Sequence, residues 1–195
     1  MRLNDARALA TDVLAMLRPA CLQAEIAGSI RREKADIKDI ELVVQPRLTP
    51  EPTLFGDGGR LHSDLDAALA RLIAAGRLAY DTKLKRNGER YKRLTLPGRD
   101  MAIDLFIADA LNWGNILAIR TGDADFSRAL VTSRLHGGLM PGNLKQRDGV
   151  LVQGQQVIGC LTEGEFFRAL GIVTVPDPTE RNAKTARLLA QRGAA

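Results

Sequence analysis

Apolar residues recur at helical spacing over the first twenty positions. Leu9, Val13, Met16, Leu17 and Ala20 share a face, which predicts an opening helix capped by Asn4 and ended by Pro19. The pattern then shortens: Glu25-Ile26-Ala27 leads into Gly28-Ser29, and Ile40 to Val44 reads as a buried strand that carries Glu41. From 46 to 59 the periodicity stops, and Pro46, Pro50, Pro52, Gly56, Gly58 and Gly59 predict an irregular loop, long for a compact domain. Ser63 caps a second amphipathic helix with Leu65, Leu69, Leu72 and Ile73 inward and Gly76 as its stop.

A β-rich section follows. Asn87-Gly88 predicts a type I′ hairpin, and Pro97-Gly98 a turn into a strand from Met101 to Ala108. Met101, Ile103, Leu105 and Ile107 fall on one face of that strand, with Ala102, Asp104 and Phe106 on the other. Asn112 caps a helix from Trp113 to Arg120, Thr121-Gly122 breaks it, and a further helix runs from Ala124 to Leu135. Gly137-Gly138, Pro141-Gly142 and Asp148-Gly149 punctuate short strands that include Val150 to Val152. Thr162 and Glu165 form a capping box for the helix Glu163 to Leu170, closed by Gly171. Past Pro176, Pro178 and Arg181 the chain ends in a basic, alanine-rich tail that reads as a loose helix. The fold class expected is α+β: a mixed or antiparallel sheet with helices over 1–110, a small α/β subdomain over 111–182 and a tail over 183–195.

Composition adds two constraints. Of 195 residues 45% are hydrophobic but only 4% aromatic, so aliphatic packing builds the core. Net charge is +5, and the basic residues Lys83, Lys85, Arg86, Arg90, Lys92, Arg93 and Arg99 crowd one segment against the single acid Glu89. That segment suits a polyanion such as a nucleic acid backbone. Cys21 and Cys160 lack metal-ligand spacing and read as reduced core residues. Neither a membrane span nor a secretory signal is evident, so the expected setting is cytoplasmic, without a membrane partner.

The chemistry concentrates between Ala27 and Val44. Glycine permits close approach of backbone to ligand, and a helix start presents N–H groups to anions. Ser29 and Arg32 are suitable further donors to a polyphosphate. Asp39 and Glu41, two apart on a strand, point to one face roughly 6–7 Å apart at Cα. Carboxylates so placed can hold two divalent ions about 3.5–4 Å apart for in-line displacement at phosphorus. Asp104, in the middle of an apolar strand, is costly unless paired or metal-bound.

Gly28-Ser29, Arg31-Arg32, the Asp39-Glu41 pair ten residues past the serine and the later Asp104 resemble the signature of DNA polymerase β-like (family X) nucleotidyltransferases. The resemblance is nearest to short, phage-type members and covers most of the chain, with Asn112-Trp113-Gly114 and Arg120-Thr121-Gly122 as further matches. It implies a palm followed by a nucleotide-selecting subdomain, and addition of dNMP to a primer 3′-hydroxyl in gap filling or repair. Asp39, Glu41 and Asp104 would ligate two Mg²⁺ or Mn²⁺ ions. Gly28, Ser29, Arg31, Arg32, Arg120, Thr121, Gly122 and Arg128 would hold the nucleotide, Arg31 assisting or pairing structurally. The basic residues Lys83, Lys85, Arg86, Arg90, Lys92 and Arg93 would meet the DNA. Expected partners are a (d)NTP and primer-template or gapped DNA, bound by a monomer.

Three departures stand out: Glu41 replaces the usual second aspartate, Ile119-Arg120 an aromatic pair, and Ala102 and Phe106 the arginines that often flank the third aspartate. The family's lyase and helix-hairpin-helix segments have no counterpart in the sequence, which implies no lyase activity and weak, salt-sensitive DNA affinity. Transfer to tRNA, protein or a small molecule, and a catalytically silent nucleic-acid-binding module, are the alternative readings.

Overall fold

A computed structural model describes residues 1–50, 61–82 and 87–192. The described elements begin with α1 (Leu3–Leu17), β1 (Cys21–Ile26), α2 (Gly28–Arg31) and β2 (Asp39–Pro46). A small ribbon, β3 (Leu48–Pro50) with β4 (Leu61–Ser63), flanks the undescribed loop residues and leads into α3 (Asp64–Ala74). Then come β5 (Ala79–Tyr80), β6 (Tyr91–Thr95) and β7 (Ala102–Ile107). The second half holds α4 (Trp113–Thr121), α5 (Ala124–Val131), β8 (Lys145–Arg147), β9 (Val150–Gln153), β10 (Gln156–Ile158), α6 (Glu163–Ala169) and α7 (Ala183–Arg192). The class is α+β, with a mixed sheet and seven α-helices among the described residues.

The main sheet has the order β1-β2-β7-β6-β5, with β2 and β7 parallel and every other pair antiparallel. Strand alternation sorts its two faces. Ile40, Leu42, Val44, Leu94, Ile103 and Leu105 point into one buried cluster shared with Ala6, Ala10, Val13 and Leu17 of α1 and Leu65 and Leu69 of α3. The opposite face carries Asp39, Glu41, Asp104 and Arg93, then an apolar rung of Val43 and Phe106. Val43 and Phe106 pack with Ala27, Trp113 and Leu117, which joins the sheet to α4. A separate cluster built on Phe126, Leu130, Leu151, Phe166, Phe167 and Ala186 forms the core of the C-terminal half.

Local chemistry explains most boundaries. The Ser63 side chain accepts from Asp66 N, a cap contributing about 1 kcal/mol, and Thr162 with Glu165 makes the expected capping box. Pro97-Gly98 forms a turn closed by Arg99 N donating to Leu96 O (3.0 Å), with Gly98 at φ 78°.

Several expectations need correction. Helix α1 starts two residues early because Met1 N donates to Ile37 O and Arg2 bridges Asp36, so Asn4 lies inside the first turn rather than capping it. Asn87 pairs across to Lys92 and Gly88 N donates to Tyr91 O (2.8 Å), so the chain reverses over 88–91 and not in a type I′ Asn-Gly turn. Helix α5 stops at Val131, where Thr132 turns extended and its hydroxyl donates back to Arg128 O (2.7 Å). The C-terminal tail is a formed helix, capped by Asn182 Oδ1 and burying Ala186 in the second core. Cys21 and Cys160, by contrast, are buried free thiols as expected, each pushed up to about 11 chiefly by burial.

Candidate active site

Pairing register assembles the carboxylates. In the parallel ladder Asp39 stands opposite Ala102 and Glu41 opposite Asp104, and in the antiparallel ladder Asp104 stands opposite Arg93. Glu41, Asp104 and Arg93 therefore form one charged rung on the face turned toward the C-terminal half. Asp39 lies two residues before Glu41 on the same face.

The glycine cradle lies directly against this rung. Gly28 sits at φ 61°, and a Cβ built there would lie 1.7 Å from Glu41 Oε2. The position thus requires glycine twice over, for its backbone conformation and for the carboxylate packed on it. Helix α2 leaves its first N–H groups without intrahelical acceptors beside Glu41.

Charge is unbalanced here. Burial first, and then Asp39, push the Glu41 carboxyl up to about 7; Asp104 adds to the rise, while Arg32 and Arg120 oppose it. Asp104, 8% exposed, is compensated instead. Arg93 Nη1 donates to Asp104 Oδ1 (2.7 Å) and Oδ2 (3.0 Å), Arg93 Nε donates to Asp81 Oδ2 (3.0 Å), and the Tyr91 hydroxyl donates to Asp104 Oδ1. Tyr91 and Arg93 alternate on β6 toward this face, whereas Lys92 points the other way. Its Nζ, in a residue 7% exposed, is bound by Asn87 Oδ1 (3.1 Å) and Asp66 Oδ1 (3.1 Å).

Glu41, Asp104, Tyr91, Arg93 and Phe106 form the floor of a cleft of about 680 Å³, a size that suits a nucleotide. The Arg120 guanidinium lies over the Phe106 ring, 3.9 Å from its centroid, and Asn112 and Ile116 line the α4 side. The β8–β9 turn forms the far wall. Arg90 Nη1 reaches across to Asp148 O (2.9 Å) at the cleft edge.

Other expected ligands serve a different purpose. Arg31 donates to Thr121 Oγ1 (2.6 Å) and forms a two-pronged pair with Glu163 (2.9 and 2.7 Å), which Arg181 contacts from the other side. Burial alone would raise Glu163, but hydrogen bonds from Arg31 and Arg181 outweigh it and hold the carboxyl below its ordinary range. Arg32 Nη1 donates to the Thr121 (2.7 Å) and Gly122 (2.8 Å) carbonyls, leaving its Nε buried without an acceptor. Arg32, expected at the phosphates, Thr121 and Gly122, expected beside the nucleotide, and Arg31, for which structural pairing was one expectation, are thus brought together as a clasp between α2 and the end of α4. Arg128 lines a separate cavity against α7. Lys83, Lys85 and Arg86 lie outside the described residues.

Among the described residues no group of three or more His, Cys, Asp or Glu is arranged to hold a metal ion. Both Asp104 oxygens are turned to Arg93 and one also to Tyr91. The donor chemistry nevertheless fits a hard divalent cation: only carboxylate oxygens, on one face, with Glu41 lacking full compensation. Tyr91 and Arg93 as partners of Asp104, and Glu163 and Arg181 as the clasp, escaped the sequence reading. The alternation of Tyr91 and Arg93 along β6 was the signal for the first pair. Among the described residues no helix is long and apolar enough to cross a membrane. No model of a known protein family and no curated protein matches the chain.

Proposed function

We propose that the chain is a metal-dependent nucleotidyltransferase that adds a nucleotide to a polynucleotide 3′-hydroxyl, with gap-filling DNA synthesis as the specific form. The observation that carries the reading is the rung of Glu41 and Asp104 on parallel strands, packed against a glycine that admits no side chain. Asp39, Glu41 and Asp104 would hold Mg²⁺ or Mn²⁺. Bound ions supply charge neutralisation at phosphorus and a lowered pKa for the attacking hydroxyl. The chain's own part is positioning. Gly28, packed on Glu41, and Ser29 after it would offer backbone and hydroxyl donors, Arg120 on its Phe106 platform would offer guanidinium donors to the cleft, and Arg93 holds Asp104 at the rung. Arg90 at the cleft edge would meet the acceptor strand, whereas Lys92, paired with Asp66, would not.

A second reading, a silent nucleic-acid-binding module, draws on the Arg93 lock, in which a resident guanidinium already neutralises Asp104. One experiment separates the two. A labelled gapped primer-template is incubated with each dNTP in Mg²⁺ and in Mn²⁺, with Asp104→Asn alongside. Template-matched extension that falls by at least about 100-fold in the variant is expected. Unimpaired extension by Asp104→Asn would overturn the assignment, and DNA binding without extension by the wild type would establish the silent module.

A further inference from the structure

We propose that the groove between α5 and α7 is a second polyanion site, taking the phosphate backbone of a nucleic acid strand outside the catalytic cleft. It rests on the polynucleotide-acceptor reading above. The tail helix Ala183–Arg192 carries Lys184, Arg187 and Arg192 and no acidic residue. Its apolar stripe is used up in folding: Ala186, Leu189 and Ala190 pack into the core of the C-terminal half. Lys184 and Arg187 stay exposed, one turn apart on the helix surface, and neither joins an ion pair among the described residues.

Arg187 meets Arg128 of α5 and His136 around a cavity of about 280 Å³ floored by Gly137 and Gly138. The floor must be glycine at 138, where a Cβ would lie 2.0 Å from Thr132 O. The N–H groups of Gly137 and Gly138 are already donated to Arg134 O and Ser133 O, so these two glycines offer no backbone donor to a ligand. Asp125 is the single carboxylate of the lining. It pairs with Arg128 at 3.3 Å, but those side chains are 61% and 72% exposed, so the pair holds weakly and an incoming phosphate competes with it.

The lining points to a backbone and not to bases. Two guanidinium groups from separate helices, Arg128 and Arg187, lie along an open groove, and among the described residues no Phe, Tyr or Trp lines it to stack a base. Such contacts supply sequence-independent, salt-sensitive affinity, which a chain with a small catalytic cleft needs for holding a long acceptor.

The test is anisotropy of a labelled primer-template against the full chain, between about 50 and 200 mM salt. The double variant K184A/R187A is compared with the wild type and with the charge-keeping K184R/R187K. Alanine suits an exposed helix position, and unchanged far-UV circular dichroism confirms folding. The alanine variant is expected to bind at least about tenfold more weakly at the low-salt end, with a salt slope shallower by about 2, and K184R/R187K to restore both. Maximal extension at saturating DNA stays at the wild-type level, because neither residue lines the catalytic cleft. Equal affinity and slope in K184A/R187A would overturn the groove while leaving nucleotidyl transfer intact. Loss of DNA binding in K184A/R187A by a chain that extends no primer would support the groove and remove the transferase reading. A wild type that binds no DNA would remove both.

Discussion

Two charged clusters in this chain differ in how their charge is met. In the clasp, one carboxylate, Glu163, is held by two guanidinium groups, and Arg181 is only 1% exposed. In the carboxylate rung, burial first and then the like charges of Asp39 and Asp104 push the Glu41 carboxyl up to about 7. The first is an arrangement complete in itself and fixes how α2, α4 and α6 meet. The second is left short of positive charge, the condition expected of a site completed by a ligand. Both grow from the same sequence segment, since Arg31 and Arg32 face the clasp while Gly28 faces the rung.

The comparison breaks most visibly at the clasp. Glu163→Ala leaves the buried Arg181 and the half-buried Arg31 without their carboxylate, and is expected to lower stability by about 3–5 kcal/mol in urea unfolding. The pH signature follows from the depressed carboxyl. Its stabilisation is complete above the ordinary value of 4.5 and lost on acidification through the lower folded-state value, so the variant should show a flatter acid limb than the wild type.

Glu41 has the opposite sign. Below the ordinary value of 4.5 it is protonated in both folded and unfolded chains and costs nothing. Between 4.5 and about 7 the unfolded chain ionises first, so stability falls with rising pH and then levels off. Removing that cost, Glu41→Gln should be more stable than wild type by up to about 3 kcal/mol above pH 7, and nearly equal to it below 4.5. An advantage that does not change with pH would mean that Glu41 is not crowded.

The smallest effect belongs to the cleft edge. Arg90 and Asp148 are 67% and 76% exposed, so Arg90→Ala should change stability by less than about 0.5 kcal/mol. Its expected effect is on the acceptor, read as a raised KM for primer-template with kcat kept.

The parts of this architecture that were legible in the sequence are those written in local pattern. The faces of β7, the Ser63 cap, the Thr162–Glu165 box and the strand bearing Glu41 follow from periodicity and turn chemistry. The juxtaposition of Asp39, Glu41 and Asp104 was expected from a resemblance, and the register of β2 on β7 places them on one face. What stayed hidden depends on long-range pairing. Arg93 looked like one cation in a basic run, and only its place opposite Asp104 makes it that carboxylate's partner. Lys92, its neighbour, is turned to Asp66 by the same alternation. Arg31 reaches Glu163 across 132 residues of sequence, a contact no local signal announces.

The most direct measurement is a calorimetric titration of Mn²⁺ into the wild type and into Asp104→Asn at pH 7, repeated in buffers of different ionisation enthalpy. Because Glu41 is partly protonated there, cation binding by the rung should release protons and give a buffer-dependent heat. Saturable binding with proton release, lost in Asp104→Asn, is the expected result. Absence of Mn²⁺ binding by the wild type, or equal binding by the variant, would contradict the rung as the metal-dependent centre.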